Sequence, residues 1–293
     1  MRLADLNYTQ RHPFAATIRA SKRRAHSIHT IPKAACVLIE LSGFRAGKFS
    51  PATDRNLDPE TQHSPTAKFF LRTNTARRTE AAPKSKCGCN KVISAVTGTI
   101  GCGKSTFFGF FRQRGWTTFD ADGFCRSLYA ENDPELAALL RGRCGSRCFA
   151  DDGVTIDRRR VGEAAFADPE LLTALASVIY PRLDAALDEA IARTRSEGGN
   201  LAAEIPLLYE KGYAPRFDKV IAVWCDDELR RRRLREFRGM SDEEIRRRES
   251  CQWPSERKLE AADFAVVNHG TVRQLEEQFE RLLAKLRSDS LSE

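Results

Sequence analysis

Gly98-Thr99-Ile100-Gly101-Cys102-Gly103-Lys104-Ser105 matches G-x-x-x-x-G-K-[ST] in full, and the residues on either side give it the context that pattern needs. Upstream, 91–96 (KVISAV) reads as a short buried strand; downstream, Lys104–Gln113 reads as a helix. Strand, glycine-rich turn and helix start together form a phosphate-binding loop. Glycines let backbone N–H groups close around phosphate oxygens, and the helix start points its positive dipole end at the same anion. Lys104 is expected to bridge the β- and γ-phosphates of ATP and the Ser105 hydroxyl to ligate Mg²⁺. Gly98, Gly101, Cys102 and Gly103 supply the wall of the loop, and Thr106 a further donor toward the α-phosphate. Cys102 needs only to be small, although its place near a helix start predicts a thiol open to modification.

Beyond the loop, strand-like and helix-like segments alternate, the signature of an α/β fold with a mainly parallel sheet. Further strands are expected at 117–119, 200–205 and Lys219–Trp224, with Asp120-Ala121-Asp122 closing the second strand. Asp133-Pro134 and Asp168-Pro169 pair a capping side chain with proline at the first helical position. The interval 133–195 is therefore mostly helical and reads as an acceptor-binding insert. Ser241 with Glu244, and Thr271 with Gln274, form capping-box patterns. In the last helix Val272, Leu275, Phe279, Leu282 and Leu286 fall on one face, as packing requires.

The net charge of +8 is a property of one end. Residues 1–90 carry 16 Lys and Arg against 6 Asp and Glu, leaving 32 against 34 for the remainder. Three readings compete for this basic, acid-poor extension, which lacks periodicity and is expected to be disordered: a targeting segment, an arm that touches nucleic acid or anionic surfaces, or a start assigned too far upstream. The nine cysteines follow no ordered framework, which favours reduced thiols and a cytoplasmic setting. Cys87 with Cys89, and Cys144 with Cys148, lack the C-x-x-C spacing of a four-thiolate zinc site. No apolar run approaches a membrane span.

A phosphate loop alone does not separate a kinase from a GTPase switch or a transport ATPase. No N-K-x-D segment is present, and the partial signature Leu41-Ser42-Gly43-Phe44 lies upstream of the loop, where it cannot serve. Asp122, 18 residues after Lys104, is instead placed where an acceptor hydroxyl approaches the γ-phosphate and can take its proton. Asp120 has the same options, or helix capping and duty around Mg²⁺. Arginines 230–233, 235 and 238 lie on an expected helix after the 219–224 strand. Most read as a solvated face, and Arg238, at the helix end, is the candidate to hold charge on a transferring phosphoryl group.

Several separated motifs resemble the dephospho-CoA kinase family over about 92–283. These are the 97–106 loop (TGTIGCGKST), Asp120-Ala121-Asp122 with Arg126, and the 153–158 segment ending in Asp157-Arg158. Pro206-Leu207-Leu208-Tyr209-Glu210 follows, then Gln252, Lys258, Ala262-Asp263 and Asn268-x-Gly270. The resemblance implies a three-layer P-loop NTPase of the nucleoside-monophosphate-kinase type, with a parallel central sheet, a helical acceptor-binding insert and a helical lid. It implies boundaries as well: an extension over 1–88 and a kinase domain over 89–293. Within that domain the core is 89–130 and 198–228, the insert 131–197, the lid 229–260, and the last strand and helix 261–287. It further implies ATP and Mg²⁺ as reactants, dephospho-CoA as the partner, and phosphorylation of its ribose 3′-hydroxyl with Asp122 as base. Arg126, Tyr180, Pro181, Leu207 and Leu208 would lie against the acceptor and Asn268 near the nucleotide base, or in a turn before Gly270. Glu204 would reach Mg²⁺ through water or stand as a plain strand-end carboxylate. The chain departs from the family pattern at Tyr180, where the family has His before Pro, at Thr99, where it has Gly, and at Glu204, where it often has Asp. Two other readings remain: another small-molecule P-loop kinase, and a nucleic-acid-binding protein with a regulatory ATP site.

Overall fold

In the computed structural model, residues 92–289 are described. The three readings of the basic extension, and Cys87 and Cys89, lie outside them. The elements run β1 (Ile93–Thr97), α1 (Lys104–Gln113), β2 (Thr117–Asp120), α2 (Ala121–Ala130), α3 (Pro134–Cys144), α4 (Arg158–Ala167), α5 (Pro169–Glu197), β3 (Leu201–Glu204), β4 (Lys219–Trp224), α6 (Asp227–Arg238), α7 (Asp242–Ser250), α8 (Ser255–Ala261), β5 (Phe264–Val267) and α9 (Val272–Asp289). The strands form one parallel sheet in the order β2-β3-β1-β4-β5, with the loop-bearing strand at its centre.

Each central strand divides its side chains between two apolar cores, as the period of 2 demands. Ile93 and Ala95 of β1, Val220 and Ala222 of β4, and Leu201 and Ala203 of β3 face a core shared with α2, α3, α4 and α5. Val96, Ile221, Val223 and Ala202 face the opposite core, filled by α1 and α9. Three layers result: helices, sheet, helices. In the second core Phe279 of α9 meets Phe107 at 5.5 Å, Phe110 at 5.5 Å and Phe111 at 4.8 Å between ring centroids, the first and last of these contacts edge-to-face. This cluster pins α1, and so the helix end that faces the phosphates, to the sheet.

The helix starts read from sequence form as expected. Asp133 accepts from the Leu136 N–H, and Asp168 from those of Glu170 and Leu171, each followed by proline. Thr271 and Gln274 bond reciprocally. Ser241 caps α7 through the Glu244 N–H, while the Glu244 carboxylate turns to Arg248 at 2.6 Å. Two expectations need correction. Val272, the first residue of α9, is 61% exposed, whereas Leu275, Phe279, Leu282 and Leu286 are buried. The second strand ends at Asp120, and Asp122 belongs to the first turn of α2, since Asp120 is itself the capping residue. No described helix is long and apolar enough to cross a membrane.

Phe279→Ala removes the ring at the centre of this cluster. It is expected to destabilise the protein by about 3–5 kcal/mol, read as a fall in urea midpoint at unchanged slope; a loss below about 1 kcal/mol would show that α9 does not anchor α1 in this way.

Candidate active site

The phosphate loop leaves the C-terminal end of β1 and enters α1 under tight steric limits. At Gly98 (φ 151°) a Cβ would lie 2.3 Å from the Val223 carbonyl oxygen, and at Gly103 (φ 90°) it would lie 2.0 Å from the Asn268 amide nitrogen. Both positions therefore demand glycine. The loop is also held from outside. The Ile100 N–H donates to Gln252 Oε1 at 2.9 Å, and its carbonyl accepts from Arg230 Nη1 at 3.0 Å. Asn268 Nδ2 donates to the Cys102 carbonyl at 2.9 Å, and the Thr99 and Ser255 hydroxyls are 3.3 Å apart.

These contacts revise several sequence readings. Arg230 is 2% exposed and paired with Asp227 and Glu249, so it braces the loop rather than forming part of a solvated face. Arg231 pairs with Glu249, Arg233 donates to the Asn268 carbonyl and Arg235 pairs with Asp242. The side chain of Asn268 is committed to the loop backbone. Cys102 is wholly buried between the loop and the second core, which removes the expectation of a thiol open to reagents. Cys144 and Cys148 are also buried, and burial together with the hydrogen bond that its S–H donates to Cys144 pushes the Cys148 thiol up to about 12, unlike a metal ligand.

The reacting groups gather where the sheet register puts them. Asp120 of β2 and Val96 of β1 are both aligned with Glu204 of β3, so carboxylates line the C-terminal edge of the sheet beside the loop. The buried ammonium of Lys104 donates to the Thr99 carbonyl at 3.1 Å, and the Ser105 hydroxyl donates to Glu204 at 2.8 Å. Thr106 is exposed on the next position of α1. Asp120 is engaged: it accepts from the Gly123 N–H at 2.9 Å and pairs with Arg126 at 3.2 Å. Asp122 accepts no hydrogen bond among the described residues. Burial, then repulsion from Asp120, raises its pKa, against the opposing pull of Lys104, Arg126 and Arg248. Burial likewise raises Glu204, opposed by Lys104 and by the Ser105 hydrogen bond. Arg238, the last residue of α6, is exposed and lies within electrostatic reach of Cys102, Glu204 and Asp122.

Two cations that the sequence reading did not assign to the site also face Asp122. Arg248 of α7, 6% exposed, pairs with Glu244 and acts on Asp122 across the cleft. Its only sequence cue was the i, i+4 pairing with Glu244 inside a charged run. Arg158, the first residue of α4, is half-buried and senses both Arg126 and Asp122.

The residues expected against the acceptor divide. Tyr180 lies under the Lys211 ammonium, 3.8 Å from its ring centroid, and Pro181 is exposed inside α5. Leu207 and Leu208 are buried, and Leu208 is wholly so within the first core. Beside it, Lys258, matched before only as a motif position, donates to the Pro206 carbonyl at 2.5 Å and pairs with Glu210 at 2.9 Å, both side chains being buried.

The family model for dephospho-CoA kinase matches residues 92–274. The chain belongs to the dephospho-CoA kinase family. It is 36% identical over 196 residues to the dephospho-CoA kinase of Anaeromyxobacter dehalogenans, covering 67% of this chain and 92% of that one. It is 33% identical over 199 residues to that of Chlorobaculum tepidum, covering 67% and 95%. Among solved structures it resembles TT1252 from Thermus thermophilus, with a TM-score of 0.57 at 32% identity over 67% of this chain and 98% of that one. It also resembles the dephospho-CoA kinase from Campylobacter jejuni, with a TM-score of 0.53 at 26% identity over 66% and 96%. As a dephospho-CoA kinase family member the chain is a phosphotransferase, and its α/β three-layer sheet is that of a P-loop kinase.

The donor set fits a small hard cation: the Ser105 hydroxyl and the Glu204 carboxylate offer oxygen beside the loop, as Mg²⁺ prefers. Among the described residues no three His, Cys, Asp or Glu side chains are grouped to hold an ion by themselves. Such a cation takes its remaining ligands from phosphate oxygens and water.

Burying the Asp122 charge carries a stability cost. A carboxyl whose folded pKa is raised stabilises the fold fully below its unfolded value of 3.8, and that contribution is lost as pH rises through the folded value. Asp122→Asn is therefore expected to raise the melting temperature at pH 7, with the gain shrinking toward zero as pH falls below about 4. A gain that is equal at both pH values, or a loss at pH 7, would show that the carboxylate is not held at such a cost.

Proposed function

We propose that this chain transfers the γ-phosphoryl group of ATP to the ribose 3′-hydroxyl of dephospho-CoA, giving coenzyme A and ADP in the last step of coenzyme A synthesis. The observation that carries the reading is the contrast between the two carboxylates at the start of α2, its capping residue Asp120 and Asp122 of its first turn. Asp120 is used in a cap and an ion pair, whereas Asp122, on the same side of the sheet edge as Lys104, keeps its oxygens free. In the proposed reaction Asp122 accepts the proton of the incoming hydroxyl while Lys104 and Arg238 hold the charge spreading over the transferring phosphoryl. Gly98, Gly101, Cys102 and Gly103 grip the triphosphate through backbone amides, aided by the hydroxyls of Ser105 and Thr106. Ser105 directly, and Glu204 through water, would hold Mg²⁺, which when bound neutralises phosphate oxygens. Asn268 contributes by fixing the loop on the nucleotide side.

In this reading 89–130 and 198–228 form the nucleotide-binding core, from which Arg126 of α2 meets the acceptor, 131–197 the acceptor domain with Tyr180 and Pro181, 229–260 the lid, and 261–287 the last strand and helix. The setting is cytoplasmic. A kinase for a different small alcohol would use the same groups, and an acceptor screen separates the two.

With dephospho-CoA as acceptor, Asp122→Asn is expected to lower kcat about 10²-fold or more while ATP affinity is kept, measured by coupled ADP release. Near-normal turnover would assign the proton to another group. For the unsubstituted chain, the acid limb of kcat/KM should lie above the ordinary aspartate range, because the base must be deprotonated and its pKa is raised. An acid limb at or below about pH 4 would contradict Asp122 as the base.

A further inference from the structure

Gln252, Ser255 and Lys258 recur at three-residue spacing into and along α8, and all three are buried. Each meets a segment that leaves the C-terminal end of a strand. Gln252 and Ser255 meet the phosphate loop after β1, and Lys258 meets the turn after β3. The Ser255 contact goes to Thr99, whose hydroxyl lies 3.3 Å away; among the described residues these two buried hydroxyls have only each other. Thr99 is a position at which the chain departs from the family pattern, and a glycine there would have no side chain to bond.

The Thr99 carbonyl has two donors. It accepts the Cys102 N–H at 3.3 Å, which closes the turn of the loop, and the Lys104 ammonium at 3.1 Å. Its direction is set from both ends of one peptide unit. A trans peptide is planar, with its C=O and N–H opposed. The Ile100 N–H, bound to Gln252 Oε1 at 2.9 Å, therefore sends the Thr99 carbonyl the other way, toward Lys104. The hydroxyl pair with Ser255 holds the near end of the same unit. An ammonium carries three donors and no acceptor. With one N–H on the carbonyl two remain, and the place of that anchor governs where they point.

We propose that Thr99, held by Ser255, is a positioning residue for Lys104: the hydroxyl pair, together with Gln252, fixes the carbonyl that anchors the ammonium and so directs its other two N–H groups at the β- and γ-phosphate oxygens of ATP. The inference rests on the loop binding a nucleoside triphosphate and is independent of the acceptor.

Calorimetric titration with Mg²⁺ and a non-hydrolysable ATP analogue tests it. Thr99→Val keeps the shape of the side chain, removes its hydroxyl and leaves that of Ser255 buried without a partner; it is expected to weaken binding about 5- to 30-fold. Thr99→Ser, which keeps the hydroxyl, is expected to stay within about twofold of the unsubstituted chain. Combining Thr99→Val with Ser255→Ala should weaken binding no further than Thr99→Val alone, because both remove the same bond. In a Lys104→Ala chain, Thr99→Val is expected to change the dissociation constant by less than about twofold, since the group it positions is gone. Displacement of a fluorescent ATP analogue reads the weaker binding of those chains. Melting curves matched to the unsubstituted chain check folding, and if Thr99→Val does not fold, Ser255→Ala, which leaves the loop sequence intact, takes its place in both backgrounds. Unchanged affinity in Thr99→Val overturns the proposal. So does an equal loss with and without Lys104, which would make the pair a general brace of the loop. An unsubstituted chain that does not bind the analogue would instead overturn the assignment of the loop, so the failures are distinguishable.

Discussion

Close approach of backbone to backbone at the phosphate loop is the constraint on which the rest of the molecule depends. A loop that passes so near the β4 carbonyl of Val223 and the Asn268 amide tolerates no Cβ at Gly98 or Gly103. It also cannot keep its own polar groups satisfied. They are completed from far along the chain, with both backbone groups of Ile100 taken by the side chains of Arg230 and Gln252. Arg230 is tied in turn to Glu249 of α7, so α6 and α7 are both anchored at the loop. Removing a partner leaves a buried polar group unsatisfied, which is costlier than the bond itself is worth.

A second consequence concerns charge. The sheet register stacks Asp120 and Glu204 at one edge, and the first turn of α2 adds Asp122 two residues on. Several carboxylates so close together repel, and burial compounds the effect, which is why Asp122 and Glu204 both resist ionisation despite the cations facing them. The same proximity makes Asp122 a more competent proton acceptor than an ordinary aspartate, because a raised pKa brings a base closer to working pH. Stability is spent at this edge for reactivity, and the cost is recovered in the two apolar cores, where the sheet and its flanking helices are closed against water.

Local signals made much of this legible. The glycine pattern, the Asp-Pro helix starts and the Thr271–Gln274 box are read from neighbouring residues, and they form because their partners lie within a few positions. The strand positions were legible because a parallel sheet buried on both faces needs continuous apolar runs. What was not legible depended on distant contact. Arg230 reads as one of several charged residues on a helix until the fold delivers the Ile100 carbonyl to it. Leu208 reads as a residue of a strand-end motif, and its complete burial in the first core is set by the fold. Cys102 reads as accessible because a loop is named by its ligand, whereas its side chain points to the core behind it. Arg248 had no pattern of its own, and its relation to Asp122 exists only in the folded arrangement.

The buried pair of Lys258 and Glu210 shows how such long-range terms act on the site without touching a ligand. Burial, helped by repulsion from Lys104, lowers the Lys258 pKa, and Glu210 opposes that shift. Such a pair contributes little net stability, since desolvating two ions offsets most of their attraction. Its effect is on position. Lys258 also holds the Pro206 carbonyl, to which the Thr97 hydroxyl donates at 3.4 Å, and the Trp253 N–H donates to Glu210 at 2.6 Å. The end of β1, the turn after β3 and the base of α8 are thereby fixed to one another around a single ammonium. An apolar replacement of similar volume would fill the space and leave the Pro206 carbonyl only the long hydrogen bond from Thr97. The register of the segment that follows Glu204 would then be set by packing alone, and the catalytic edge would lose a restraint that apolar contacts, being non-directional, cannot replace.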